Sequence, residues 1–305
     1  MKIERIPLRG RREDVTLTTY VLDDSAELLD GAARPAVLIL PGGGYLSCSD
    51  REGEPIAMAF ASLGYHAFVL RYSVYGESDW SKPIEPRERS QYPRPLVDVG
   101  LAMREIRERA GEWRVDVDRV AVCGFSAGGH NAAMYATNWD KPVITDAVGE
   151  GLRPAALIAA YAVTDYVDVV ERAGEMADRE RTMRLAIATA YLGTSAPSQE
   201  ALIAASPALI ADESTPPSFL WSTAGDTLVP ARHSMRLAAR LADLGVPYEL
   251  HVYEQGRHGL SLATQATAGS HGDLEPRPAD WLRQAASWLE ARFALDVPAL
   301  SHWER

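Results

Sequence analysis

The chain has 305 residues, 47% hydrophobic and 24% charged, an ordinary globular composition that excludes a fibrous or disordered protein. Its 42 acidic against 31 basic residues leave a net charge of -11, which disfavours nucleic acid and anionic membrane surfaces as partners. No window approaches the run of about 18 apolar residues needed for a membrane span, Met1 to Arg5 lack the apolar stretch of a signal peptide, and two cysteines, Cys48 and Cys123, read as reduced thiols in a cytoplasmic protein.

Thr16 to Leu22, rich in Thr, Val and Tyr, predicts an early strand. After a polar stretch, Ala36-Val37-Leu38-Ile39-Leu40 is a continuous apolar run, the pattern of a strand buried on both faces, and it stops at Pro41-Gly42-Gly43-Gly44. Glu54 to Leu63 has helical spacing and ends at Gly64, and His66 to Tyr72 is the next strand. Residues 73 to 95 are polar and carry Pro83, Pro86, Pro93 and Pro95, so they predict a long irregular connection. Leu96 to Arg109 is an amphipathic helix. Arg119 to Gly124 is a strand, Ser126 lies in the following turn, and Gly129 to Thr137 is the helix after it.

Ala155 to Val163 predicts a further strand and Glu171 to Leu192 one charged helix. Pro217 to Ser222 is a strand that ends at Thr223-Ala224-Gly225-Asp226, and Ala231 to Leu244 is a helix stopped by Gly245. Tyr248 to Tyr253 alternates as a last strand, Thr264 to Arg277 is irregular, and Pro278 to Phe293 closes the chain with a helix. This alternation predicts an α/β fold: one mostly parallel sheet with helices on both faces. Residues 1 to 305 read as a single domain, with 73–95 and 165–210 as short cap or lid segments over the strand ends.

Gly124-Phe125-Ser126-Ala127-Gly128 matches G-x-S-x-G. Between an apolar strand and a helix, this pattern makes a crowded turn that projects the serine hydroxyl at the carboxyl end of the sheet. Such a hydroxyl needs a base. Of seven histidines, His258 lies just past the last strand, in Gly256-Arg257-His258-Gly259, where a loop can carry it over the sheet end. His130 follows Ser126 on its own helix and cannot readily turn back, and His251 lies within a strand. Asp226, at a strand end between the serine and the histidine, is the preferred acid; Asp165, at the end of the preceding strand, is its rival.

An oxyanion needs two amide donors. Ala127, after the nucleophile, is assigned one, and Gly43 or Gly44 the other, the sequence not separating these two. No Gly-Lys-Ser/Thr follows the glycines, so a nucleotide-binding loop is excluded.

Pro41-Gly42-Gly43-Gly44-Tyr45, Gly124-Phe125-Ser126-Ala127-Gly128-Gly129-His130, Gly225-Asp226-Thr227-Leu228-Val229-Pro230 and Gly256-Arg257-His258-Gly259 together resemble bacterial α/β-hydrolases of the acetyl-xylan-esterase and feruloyl-esterase-like type, over residues 35 to 292. The resemblance implies the α/β-hydrolase fold and hydrolysis of short acyl esters, often acetyl groups on sugars, with no cofactor and no metal. One departure stands out: many relatives carry His before the glycines, where this chain has Pro41. The expected partner is a small-molecule acyl ester, an acetylated sugar among the candidates. A homo-oligomer is compatible with the sequence. Two other readings are kept: an amide or peptide hydrolase on the same fold, and a catalytically silent binding protein.

Overall fold

The computed structural model describes residues 1–10, 12–76, 84–175 and 178–304. Its centre is an eight-stranded sheet in the order β1-β2-β4-β3-β5-β6-β7-β8. The strands are β1 (Arg5–Arg9), β2 (Arg12–Tyr20), β3 (Arg34–Leu40), β4 (His66–Arg71), β5 (Val115–Phe125), β6 (Ala156–Ala160), β7 (Ser218–Thr223) and β8 (Tyr248–Tyr253). β2 pairs antiparallel with both β1 and β4, and all the other neighbours pair in parallel. The expected mostly parallel sheet is therefore present, with one strand, β1, that the sequence reading lacked.

Alternation explains the continuous apolar runs. In β3, Ala36, Leu38 and Leu40 enter one core while Val37 and Ile39 enter the other; β5 and β6 divide in the same way. The first core is covered by helices Arg94–Glu108, Ala127–Asn138 and Arg232–Asp243, the second by Glu54–Ser62 and Trp281–Phe293. Each large apolar side chain so buried contributes about 1.5–3 kcal/mol.

The chain moves from β3 to β4 on one side, then crosses back to β5 on the other. Such a reversal opens a crevice at the carboxyl ends of the two strands. Leu40 and Gly124 pair there in register, so the loops after β3 and β5 start side by side.

Two expectations need correction. The helix foreseen over Glu171 to Leu192 is broken: Tyr166–Glu171 ends, a 3-10 turn covers Ala173–Glu175, and a second helix runs Asp178–Leu192. Residues 176 and 177 of that helix lie outside the described residues, as do 77 to 83 of the expected irregular connection. The rest of 165–210 is also more regular than foreseen, with short helices Gln199–Ala204 and Pro207–Ile210. No helix among the described residues is long and apolar enough to cross a membrane.

Candidate active site

Ser126 stands between β5 and the helix Ala127–Asn138, with φ 52° and ψ -118°. Its amide donates to the Ala160 carbonyl of β6 at 2.9 Å, and its carbonyl accepts from His130 N at 2.8 Å to start the helix. Crowding explains the flanking glycines. A Cβ at Gly124 would lie 2.1 Å from the Gly128 carbonyl oxygen, and one at Gly128 would lie 2.1 Å from the Leu40 oxygen.

The loops after β7 and β8 bring two distant residues to this turn. Ser126 Oγ is 2.7 Å from His258 Nε2, and His258 Nδ1 is 2.6 Å from Asp226 Oδ2. The other Asp226 oxygen accepts from the amides of Leu228 at 2.9 Å and Val229 at 2.8 Å, which orients the carboxylate. The Thr223 hydroxyl donates to the Gly256 carbonyl at 2.7 Å and ties the two loops together. Arg184 reaches across to donate to the carbonyls of Thr227 at 3.2 Å and Leu228 at 2.5 Å.

The rival acid faces elsewhere. Asp165 caps the helix Tyr166–Glu171 by accepting from Asp168 N at 3.0 Å, and it pairs with Arg236. His130 is also engaged elsewhere: Nδ1 accepts from the Tyr45 hydroxyl at 2.5 Å, and Nε2 donates to the Ala205 carbonyl at 2.8 Å. Burial lowers the His130 imidazole to about 4, so it is neutral near pH 7. His233, buried beside Asp168, is likewise lowered to about 4, with desolvation the largest cause. Burial raises both thiols, Cys48 to about 12 and Cys123 further.

In the loop after β3, the Gly42 amide donates to Glu52 Oε2 at 2.8 Å. Gly43 and Gly44 have φ of 124° and 65°, values glycine adopts without strain. The Gly43 carbonyl accepts from Leu46 N at 3.0 Å and Ser47 N at 3.2 Å, while the amides of Gly43 and Gly44 have no acceptor among the described residues. Ala127 heads its helix, so its N–H has no intrahelical acceptor. The Pro41 carbonyl accepts from the buried Tyr72 hydroxyl at 2.7 Å.

Two cavities meet at Ser126. One, about 40 Å³, is lined chiefly by Val163, Tyr166, Val169, Ile187, Leu228 and Val229, with Arg184 and His233 also in its wall. The other, about 260 Å³, is bounded by Gly43, Ser47, Ser49, Arg51, Glu52 and His258. Gly44, Ile187 and Leu228 border both. Among the described residues no group of three or more His, Cys, Asp or Glu could hold a metal ion. Glu52, Tyr161 and Arg184 were not singled out from sequence. Each lies in a charged or apolar run whose local pattern gives no sign of its distant partners.

A family model described as BD-FAE matches residues 29–241. The chain is 32% identical over 239 residues to endo-1,4-beta-xylanase B of Butyrivibrio fibrisolvens, covering 77% of this chain and 34% of that protein. It spans 34% to 58% of the length of the curated esterase and xylanase relatives it matches. Among solved structures, it is similar to MGS-M1, an alpha/beta hydrolase enzyme from a Medee basin deep-sea metagenome library. That match has 32% identity and a TM-score of 0.72, over 97% of this chain and 99% of the other. A second is the acetyl ester-xyloside bifunctional hydrolase from Caldicellulosiruptor lactoaceticus, at 29% identity and a TM-score of 0.72, over 95% and 96% of the two chains.

Proposed function

The chain belongs to the BD-FAE family and has the α/β-hydrolase fold, and from that premise we propose that it is a serine carboxylesterase acting on short acyl esters. The observation that carries this reading is the unbroken hydrogen-bond chain from Ser126 Oγ through His258 to Asp226.

In this reading His258 Nε2 takes the Ser126 proton as Oγ attacks the ester carbonyl, and Asp226 stabilises the imidazolium at Nδ1. The carbonyl oxygen becomes an oxyanion that receives the amide of Ala127 and one from Gly43 or Gly44, each donor contributing about 3 kcal/mol in the transition state. Collapse expels the alcohol, which takes the proton from His258, and leaves an acyl group on Ser126. Water, deprotonated by His258, then attacks the acyl-enzyme and releases the acid.

The two cavities support a division of labour. A water needs roughly 10–15 Å³ of such space, so the 40 Å³ cavity has room for an acetyl-sized acyl group. The helices of 165–210 form its wall and act as a cap. The larger cavity, with hydroxyls of Ser47 and Ser49 and the Arg51 guanidinium, suits a polyhydroxy alcohol. Relatives named for xylan and acetyl ester-xyloside hydrolysis support an acetylated sugar there. The free thiols Cys48 and Cys123 fit a reducing cytoplasm.

The test is labelling by a fluorophosphonate together with p-nitrophenyl acetate hydrolysis, each in the parent and in Ser126→Ala. Both are expected in the parent and absent from the variant. An unlabelled, inactive parent would sink the serine-esterase reading.

A further inference from the structure

Glu52 lies in the 3-10 turn Asp50–Glu52 and is only 4% exposed. Its carboxyl group makes no ion pair among the described residues, so its buried oxygens need hydrogen-bond donors. Both oxygens are so placed. Oε2 accepts from Gly42 N at 2.8 Å, and Oε1 accepts from the Tyr161 hydroxyl at 2.6 Å. The Tyr161 oxygen in turn accepts from Ser261 N at 3.0 Å. The Ser261 hydroxyl donates back to the Arg51 carbonyl at 2.7 Å, closing a ring of hydrogen bonds. Trp281 Nε1 fixes the Ser261 carbonyl at 2.9 Å.

This ring joins the three pieces of backbone that build the site. Gly42 begins the loop of the amide donors. Tyr161 follows β6, and its ring stands edge-on to His258 with centroids 5.2 Å apart. Ser261 lies three residues beyond His258 on the same loop. A Cβ built on Gly42 would stand 2.7 Å from Glu52 Oε2 and 3.0 Å from Ser126 Cβ, so the carboxylate and the nucleophile flank one glycine.

We propose that Glu52 is a positioning residue for the reaction. By holding the Gly42 amide to itself, it leaves the loop set so that the free amide of Gly43 or Gly44 faces the oxyanion. Through Tyr161 and Ser261 it holds the base loop in the same frame. The inference rests on the esterase reading above. It adds that the donor loop and the base loop are aligned by one buried carboxylate.

The experiment compares the parent with Glu52→Gln, Glu52→Ala and Tyr161→Phe on p-nitrophenyl acetate, with methylboronic acid as a tetrahedral mimic on Ser126. In Glu52→Ala, kcat is expected to fall about 100-fold, the scale of a misaimed oxyanion donor, with KM little changed. Boronate inhibition should weaken in proportion to kcat/KM. Glu52→Gln keeps one acceptor and should retain more activity than Glu52→Ala. Tyr161→Phe should lower kcat while leaving the aromatic ring beside His258.

Parental kcat in folded Glu52→Gln and Tyr161→Phe, with only the melting temperature lowered, would overturn the proposal and leave a purely structural brace. A rise in KM at constant kcat would also overturn it, because Glu52 would then be contacting bound substrate. If Glu52→Ala does not fold, the other two variants decide. An inert parent would fail the esterase reading itself, a result distinct from inactivity confined to the variants.

Discussion

Ser126, Asp226 and His258 stand on loops leaving β5, β7 and β8, whereas Tyr166, Arg184 and Ile187 stand on helices that connect β6 to β7. The first group rests on the sheet. Its loops are tied by backbone and side-chain hydrogen bonds to neighbouring strands and to one another. The second group leans over the sheet and closes a small apolar cavity with side chains alone. On the proposed reading, the geometry that must be held to a fraction of an ångström is built on strand ends, and the geometry that would set acyl size is built on connecting helices. Chemistry and acyl preference should therefore separate under mutation.

The largest effect should come from the floor. Ser126→Ala is expected to reduce kcat by at least about 10^4-fold, equally for acetate and butyrate esters, because the acyl wall is untouched. Steady-state rates across an ester series check this, and loss confined to one acyl length would break the distinction. Asp226→Asn keeps the shape but not the charge beside Nδ1, and should lower kcat by about 10^3 to 10^4-fold.

The next effect concerns stability. His130, fully buried on the helix that follows the Ser126 turn, is lowered to about 4 by desolvation. An unfolded histidine titrates near 6.5, so between these values the unfolded chain takes up a proton that the native state refuses. Stability should be complete above about pH 6.5 and fall as pH drops, by about 3 kcal/mol from this residue by pH 4. Urea midpoints at pH 7 and pH 4.5 measure it. His130→Gln, which can still bond Tyr45 or Ala205, should show a shallower acid loss. An unchanged slope would mean that His130 does not drive it.

The smallest effect belongs to the wall. Ile187 packs so closely that a Cβ on Gly44 would meet its Cγ1 at 2.9 Å. Ile187→Ala should enlarge the small cavity and raise the butyrate-to-acetate ratio of kcat/KM about tenfold, the usual weight of a methylene or two in such a pocket. An unaltered ratio, with activity intact, would move the acyl group to the larger cavity.

Much of the floor was legible in the sequence because its signals are local. Gly124 to Gly128 needs small residues at fixed offsets around one turn, and Asp226 and His258 each follow a recognisable strand. The cap was less legible. Glu171 to Leu192 has continuous helical composition, yet the helix is interrupted around Gly174, and Ser198 and Pro207 open short helices that give too few residues for a period to emerge. β1 is five residues long, and none of them is fully buried, so it carries no apolar pattern. Glu52 sits in Ser49-Asp50-Arg51-Glu52, which resembles any solvated turn; its burial depends on Tyr161 and Ser261, more than 100 positions away.

The backbone of Ser126 has a further consequence for engineering. Its φ of 52° with ψ of -118° is the geometry of the first central residue of a type II′ turn, a position glycine occupies with ease. A side chain there carries roughly 1–3 kcal/mol of local strain. Ser126→Gly should therefore melt at or above the parental temperature while catalysing nothing. Selection for heat resistance alone would drift toward an inert protein, so any thermostabilisation campaign on this chain needs activity in its screen.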